Sequence, residues 1–346
     1  MKVTQNQVAE RAGVTRATVS YVLSGKAEQH SITEAVVERV REAADVLGYV
    51  GHHAARALVS GKSHTIALLI GGATGAIAPF WSLIAEGVEH TAMEAGYDVL
   101  ILSEDRDWDA AGLSYVRQGK ADALIVLGSL DDGLDAWDEE QVPPVVLDPE
   151  GASGFPTVRL EVSGAYADAC AHLKKLGHRR LIWAGPAEGL DYGRGAVAAR
   201  AAAGCGLECE VLRLDGKEPP FWLGRDRCVA FWRDGLDGAL PDPPPATALL
   251  CWNDRAALGA LDLLRRRGLS VPGDVSVVGF DDDEASVALP PLSTLGQQFH
   301  ETGEAAARLA LQMVEGELSP EEARQTAVEV KSRFVARQST GPAPES

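Results

Sequence analysis

Between residues 65 and 280 the sequence alternates short apolar runs with stretches of helical periodicity. The runs are TIALLI (65–70), YDVLIL (97–102), ALIVLG (123–128), PVVLD (144–148), RRLIWAG (179–185), CEVLRL (209–214), TALLCW (247–252) and VSVVGF (275–280). Between and after them come amphipathic stretches such as WSLIAEGVEHTAMEAG, AYADACAHLKKLG, RAALGALDLLRRRG and ETGEAAARLALQMVEG, several closed by glycine. A strand that is apolar at every position is buried on both faces, and helices are what cover it, so the pattern predicts parallel sheets in an α/β fold. The runs fall into two groups of four, which predicts two doubly wound lobes.

At 346 residues the chain exceeds one ordinary core and implies two or three domains. Hydrophobic residues make up 46% and charged residues 24%, the balance of a folded protein. No run of 18 apolar residues occurs, and the N-terminus lacks the charged-then-apolar layout of a signal peptide, which leads to the expectation of a cytoplasmic protein. The five cysteines, Cys170, Cys205, Cys209, Cys228 and Cys251, are odd in number and unpaired in spacing, so they read as free thiols rather than as disulfides or metal ligands. Charge is unevenly divided. Residues 1–62 hold eight Lys and Arg against six Asp and Glu, whereas the remainder holds 24 against 44, within a net charge of −18. Any contact with nucleic acid is therefore expected at the N-terminus alone.

That N-terminus reads VTQNQVAERAGVTRATVSYVL from residue 3 to residue 23. Thr4 and Gln7 form a capping box for a helix starting at Gln5, with Val8, Ala9 and Ala12 on one face and Gly13 ending it. Thr15 caps a second helix from Arg16 to about Leu23, with Val19, Val22 and Leu23 facing inward. The spacing of Ala9, Gly13 and Val19 supplies a small residue for close approach, a glycine for the tight turn and a branched apolar side chain to lock the helices together, the helix-turn-helix pattern. Ser31 and Glu34 read as another capping box, opening a third helix with Val36, Val40, Ala43, Ala44 and Leu47 buried and Gly48 as its stop. Two ordinary amphipathic helices would not need Arg16, Ala17, Ser20 and Tyr21 as the outward residues of the second one, a set suited to a groove.

VAERAGVTRATVSYVL, followed by GYVGHHAARALVSGKSHTIALLI, resembles the N-terminus of the LacI/GalR family of bacterial transcriptional repressors. The resemblance implies a second helix in the major groove and a hinge helix that forms on specific DNA and enters the minor groove. On that basis Arg16, Ala17 and Tyr21 occupy base-reading positions, and Thr4 and Ser20 phosphate-contacting ones. Leu58 falls where the family wedges a leucine between base pairs, with Arg56 beside it. The chemistry agrees. An arginine grips guanine N7 and O6 in a bidentate manner worth about 1–3 kcal/mol of discrimination, and a leucine wedge unstacks a step and bends DNA onto more protein. Tyr21 stands where many members have arginine, so a different base preference is expected there. Gly51 and His52 replace the usual Pro-Asn, and the glycine raises the disorder lost when the hinge folds.

Farther along, LGHRRLIWAGP, NDRAALGALDLLRRRGLSVPGDVSVVGFDD and PPLSTLGQQ resemble the effector-binding core that this family shares with periplasmic sugar-binding proteins. Ligands of doubly wound sheets bind at the carboxyl ends of strands, where Asp148, Asn253, Asp254 and the cluster from Asp281 to Glu284 fall. By position, Asp148, Arg194, Asn253 and Asp281 match the residues that hold effector hydroxyls, Phe80 and Trp81 the pocket's aromatic edge, and Gln297 a wall. The segment around Arg194 lacks the usual Gly-Phe. Carboxylates that accept from neighbouring hydroxyls, with aromatic faces over the ring, suit a sugar. Among seven tryptophans, Trp222 is a second candidate platform, although a single tryptophan more often packs a core.

Other motifs fall short. SGKS (60–63) has Arg56 where a phosphate loop needs glycine, and GGATGA lacks the G-x-G-x-x-G spacing of a dinucleotide site. H-E-x-x-H and G-x-S-x-G are absent, His52 and His53 are adjacent, and DDDE (281–284) reads as a solvated strand-end cluster with one ligand-facing Asp rather than a Mg²⁺ site. No cofactor, metal or catalytic residue is expected. The resulting expectation is a helix-turn-helix domain over 1–48, a hinge over 49–62, a two-lobed effector-binding and dimerisation core over 63–340, and a disordered tail over 341–346. The segment after Arg337, QSTGPAPES, carries no apolar heptads, so the terminal coiled coil that makes some members of the resembled family tetramers is not expected, which leaves a homodimer on a near-palindromic operator. The resemblance further implies that effector binding in the cleft biases the hinge equilibrium, a coupling of typically ~1–3 kcal/mol. The alternative is a cytoplasmic sugar-binding or sugar-transforming protein that does not act on DNA.

Overall fold

A computed structural model describes residues 3–49, 57, 61–70, 79–103, 115–127, 142–147, 154–187, 193–215 and 224–345. The chain divides into two compact units, Met1–Thr65 with Val116–Asp122, and Ile66–Tyr115 with Ala123–Ser346.

The first unit is built on helices α1 (Gln5–Ala12), α2 (Arg16–Leu23) and α3 (Glu34–Leu47), with a 3₁₀ turn at Glu28–His30. Gln7 accepts from the Thr4 backbone N–H at 2.9 Å, and Thr15 accepts from Thr18 N–H at 3.1 Å, so both anticipated caps are made. Gly13 ends α1 at φ 65°, a left-handed conformation that costs glycine nothing. Val8, Val19 and Val40 are fully buried at the centre of the bundle, and each contributes on the order of 1.5–3 kcal/mol by leaving water. The start of α3 differs from the sequence reading. Its N-cap is Thr33, because Ser31 takes φ 53° to close the 3₁₀ turn. Near the start of the helix Val37 rather than Val36 is buried, and Ile32 joins it in the same apolar cluster at the two positions of a hydrophobic staple. Asp122 accepts from Ser63 N–H (2.7 Å), Ser63 Oγ (2.9 Å) and His64 N–H (2.7 Å), tying the 116–122 segment to the end of this unit.

The second unit holds two six-stranded sheets. The first comprises β1 (Thr65–Ile70), β2 (Asp98–Ser103), β3 (Ala123–Leu127), β4 (Val145–Leu147), β5 (Thr157–Glu161) and β11 (Ala327–Lys331), in the order β11-β5-β4-β3-β1-β2. The second comprises β6 (Arg180–Pro186), β7 (Glu208–Leu214), β8 (Ala248–Cys251), β9 (Ser276–Asp281), β10 (Ser293–Gly296) and β12 (Arg333–Val335), in the order β12-β10-β9-β8-β6-β7. All eight expected strands form, and β5, β10, β11 and β12 join them. The register is parallel from β6 through β8 and β9 to β10, and antiparallel only at the β10–β12 edge. In both sheets the strand order reverses beside the first strand of the group, between β1 and β3 and between β6 and β8, where doubly wound folds place their ligands.

The helices are α4 (Pro79–Glu94), α5 (Ser163–Lys175), α6 (Arg194–Gly204), α7 (Arg225–Ala239), α8 (Asp254–Arg266), α9 (Phe299–Val314) and α10 (Pro320–Arg324). The lobes are not contiguous in sequence. After β10 the chain returns to the first lobe, where α9 buries Ala306, Ala307, Leu309 and Ala310 beside Ile84 and Val88 of α4. β11 extends the first sheet, and β12 then closes the second. Helices α4 and α9 meet backbone to backbone. A Cβ on Gly87 would stand 2.1 Å from the His300 carbonyl oxygen, and one on Gly303 would stand 2.1 Å from that of Ile84.

The expected disordered tail is instead tied down as far as Ala343, which donates its N–H to Leu176 O at 2.8 Å. Ser339, fully buried, donates to Val277 O and accepts from Ser293 N–H. His178 lies 2.8 Å from Thr247 Oγ1 through Nδ1 and 3.1 Å from both Ser276 Oγ and Gly341 O through Nε2. Burial holds its imidazole below the ordinary histidine range, against an opposing pull from the Gly341 carbonyl. The five cysteines are free, and burial pushes the Cys170 and Cys251 thiols up to about 12, which leaves them unreactive.

A pH dependence follows from His178. The unfolded chain binds the proton at the ordinary value of about 6.5, whereas the folded chain binds it only lower, so this contribution is complete above that value and is lost as pH falls. The melting temperature of His178→Gln is expected to be lower than wild type at pH 7.5 and to fall less between pH 7.5 and 5.5. Parallel curves for the two proteins would remove His178 from the pH dependence.

Candidate nucleic-acid interface and effector site

In the first unit, α2 buries Val19 and Val22 and leaves Arg16, Ala17 and Tyr21 exposed, with Ser20 half-buried beside them. Thr4 is exposed at the start of α1. One cap, one glycine turn and two buried valines therefore suffice to present a row of short and hydrogen-bonding side chains along one helix. The sequence reading missed a neighbour of that row. The His30 ring from the 3₁₀ turn stacks on Tyr21, with centroids 3.5 Å apart and planes 17° apart. The His30 spacing carries no signal of its own, because the turn that delivers it is set by Ser31. Arg56 and Leu58 lie outside the described residues.

In the second unit, four of the anticipated residues gather at the carboxyl ends of β8, β9 and β10, around the β6/β8 reversal. Arg194 opens α6, is 8% exposed, and holds its guanidinium 4.2 Å from the Trp252 ring centroid and 3.9 Å from that of Phe280. Its Nη1 donates to Trp252 O at 3.3 Å. A guanidinium stacked on two aromatic rings is a cation held in place. Asn253, buried, spends its Oδ1 on the Ala256 N–H at 2.7 Å and so caps α8. Asp281 ends β9 at φ 110° and is paired in register with Gly296 of β10. Its carboxylate accepts from Gln297 Nε2, and its carbonyl accepts from Gln297 N–H.

Behind this cluster sits Asp254, fully buried, whose Oδ1 accepts from Thr294 Oγ1 at 2.7 Å and whose Oδ2 accepts from Asp283 N–H at 3.2 Å. Burial first, and then the neighbouring Asp281 carboxylate, hold the Asp254 carboxyl well above the usual range, with the Thr294 bond opposing them. Burial also raises Asp283 and Glu284, while Arg255, 3.5 Å from Glu284, pulls both down. The acidic cluster that the sequence reading took for a solvated strand end with one ligand-facing Asp is therefore partly a buried network. Trp81 is half-buried and packs on the first lobe's apolar core. Phe80 lies in the first turn of α4, with its side chain outside the described residues, as are Asp148 and Trp222. The described side chains can bind and orient a polar molecule. Two histidines and a glutamate, His90, His300 and Glu304, come together elsewhere among the described residues.

Fold and sites together define a helix-turn-helix regulator with a periplasmic binding protein-like core. The chain matches bacterial regulatory proteins of the lacI family over residues 4–51 and a periplasmic binding protein-like domain over residues 170–340. It is 32% identical over 323 residues to the HTH-type transcriptional repressor CytR of Escherichia coli K12, covering 91% of this chain and 90% of that protein. It is 30% identical over 353 residues to the HTH-type transcriptional regulator GntR of Pseudomonas aeruginosa, covering 97% and 95%. Among solved structures, the lac repressor dimer bound to operator and the anti-inducer ONPF superposes with a TM-score of 0.75 at 24% identity, over 99% of this chain and 100% of that one. A CelR–cellobiose complex gives 0.64 at 25% identity, over 98% and 100%. The chain belongs to the LacI family of bacterial transcriptional regulators. No described helix is long and apolar enough to cross a membrane.

Proposed function

We propose that the protein is a sequence-specific repressor whose operator affinity is set by a small polyhydroxylated effector, most simply a sugar. The observation that carries the DNA reading is the exposed row of Arg16, Ala17 and Tyr21 on a helix whose opposite face is locked into a small bundle. In this reading residues 1–48 read DNA, residues 49–62 form the hinge and residues 63–340 sense the effector. Arg16 and Tyr21 meet base edges, Thr4 and Ser20 meet phosphate, and Arg56 and Leu58 act in the minor groove. Arg194, Asn253, Asp281 and Gln297 hold effector hydroxyls, with Asp148, Phe80, Trp81 and Trp222 completing the pocket. The Arg194 cation, stacked on Phe280, and the Asp281 carboxylate, next to Phe280 in the chain, supply a donor and an acceptor for the hydroxyls of such a molecule. The solved CelR relative carries cellobiose, which supports a carbohydrate.

The same reading makes the protein a homodimer. Val287 and Leu289 stand 73% and 89% exposed and line a groove with Val229, Leu258, Leu261 and Ala288, alongside charged side chains such as Arg225, Asp262 and Arg265. A second copy that covers this apolar pair would remove its surface from water, which favours association. The solved lac repressor relative is itself a dimer on its operator.

Selection of bound fragments from genomic DNA, followed by fluorescence anisotropy, is expected to return a near-palindromic sequence bound at least ~10³-fold tighter than random duplex at physiological salt. Arg16→Ala is expected to relax the preference at one base of each half-site, a loss of about 1–3 kcal/mol. Fragments bound no better than random DNA would favour a carrier or enzyme instead. Leu289→Asp is expected to shift the sedimenting species from dimer to monomer, and an unchanged dimer would move the interface elsewhere.

A further inference from the structure

Away from both sites, three metal-ligating side chains converge on the first lobe. His90 projects from α4, and His300 and Glu304 stand one turn apart on α9. His90 Nδ1 lies 3.7 Å, and His300 Nδ1 3.6 Å, from the same Glu304 Oε1. The three ligand atoms all fall within 4.8 Å of one another, and the two imidazole centroids are 6.1 Å apart. The helices that carry them cannot drift. Gly87 and Gly303 press backbone on backbone, with His90 three residues after the first and His300 and Glu304 on either side of the second. The Cβ positions of the three residues are thereby constrained by a close helix crossing, while the partly exposed rings have room to rotate.

We propose that His90, His300 and Glu304 form a binding site for a first-row divalent transition-metal ion such as Zn²⁺, which staples α4 to α9. Bonds of about 2.0–2.2 Å to a tetrahedral centre put ligand atoms roughly 3.3–3.6 Å apart. Both edges to Glu304 are already near that spacing, and the His–His edge closes by rotation of two rings that are 51% and 38% exposed. Two imidazoles and one carboxylate select a borderline ion over Mg²⁺ or Ca²⁺, which prefer oxygen alone. Glu94, 3.7 Å from His90 Nε2, stands where a carboxylate orients a metal-bound imidazole. Arg308, 3.3 Å from Glu304 Oε2, engages the oxygen that does not face the histidines. The fourth position is open to water. His300 lies three residues after Gln297, so the ion would brace the first turn after the chain crosses back from the effector site.

The test uses the untagged full chain, stripped with chelator and titrated with Co²⁺. The expected result is a visible d–d absorption saturating at one ion per chain, abolished by Zn²⁺ and untouched by Mg²⁺, with Zn²⁺ raising the melting temperature. His90→Ala and His300→Ala are each expected to weaken Co²⁺ binding at least tenfold with metal-free melting unchanged, whereas His64→Ala leaves it intact. No saturable absorption, or binding that survives both substitutions, would overturn the site and leave a solvent-facing ion-pair cluster. Either outcome is read without DNA or effector, so it stands apart from the regulatory reading.

Discussion

A parallel sheet covered by helices on both faces offers a ligand only its ends. In the second sheet β8 and β9 are buried at every position, so polar chemistry is pushed to where β8 gives way to Trp252 and Asn253 and where β9 ends on Asp281. The reversal of strand order between β6 and β8 splays the helices that follow, and Arg194 opens one while Asn253 caps the other. Site and fold are therefore one constraint. The cation is held by two aromatic faces and the carboxylate by Gln297, each delivered by an element whose position the sheet fixes.

The N-terminal unit solves a different problem with far less material. Nine buried residues, five valines and four alanines from α1, α2 and α3, hold three helices closely enough that one face of α2 is left for other work. Charge divides along the same line. The near-neutral first segment can approach polyphosphate, whereas the acidic remainder repels it, so affinity must come from a docked head rather than from general attraction.

Much of this was legible in the sequence because it follows from periodicity. Runs such as TIALLI become fully buried strands, and Thr4, Gly13, Thr15 and Gly48 delimit helices as local chemistry requires. What periodicity missed shares one cause, polar residues satisfied by distant partners. β10 begins with Ser293 and Thr294, both fully buried, one bonded to Ser339 and the other to Asp254. β11 alternates exposed and half-buried residues as an edge strand, and nothing local in AVEVK announces a sheet left behind some 160 residues earlier. Asp254 looked like one more carboxylate at a strand end, and only the fold buries it against Thr294 and Asp281. Ser31 resembled a cap, but the turn that precedes α3 claimed it.

The central claim is that the carboxyl end of the second sheet, organised by Arg194 between Trp252 and Phe280, receives a polyhydroxylated molecule. The most direct measurement is a thermal-shift panel of mono- and disaccharides, including glucose, ribose and cellobiose, on wild type and Arg194→Ala. At least one compound should raise the wild-type melting temperature in a saturable manner and leave the variant unmoved. A panel without any shift, or shifts of equal size in the variant, would contradict it.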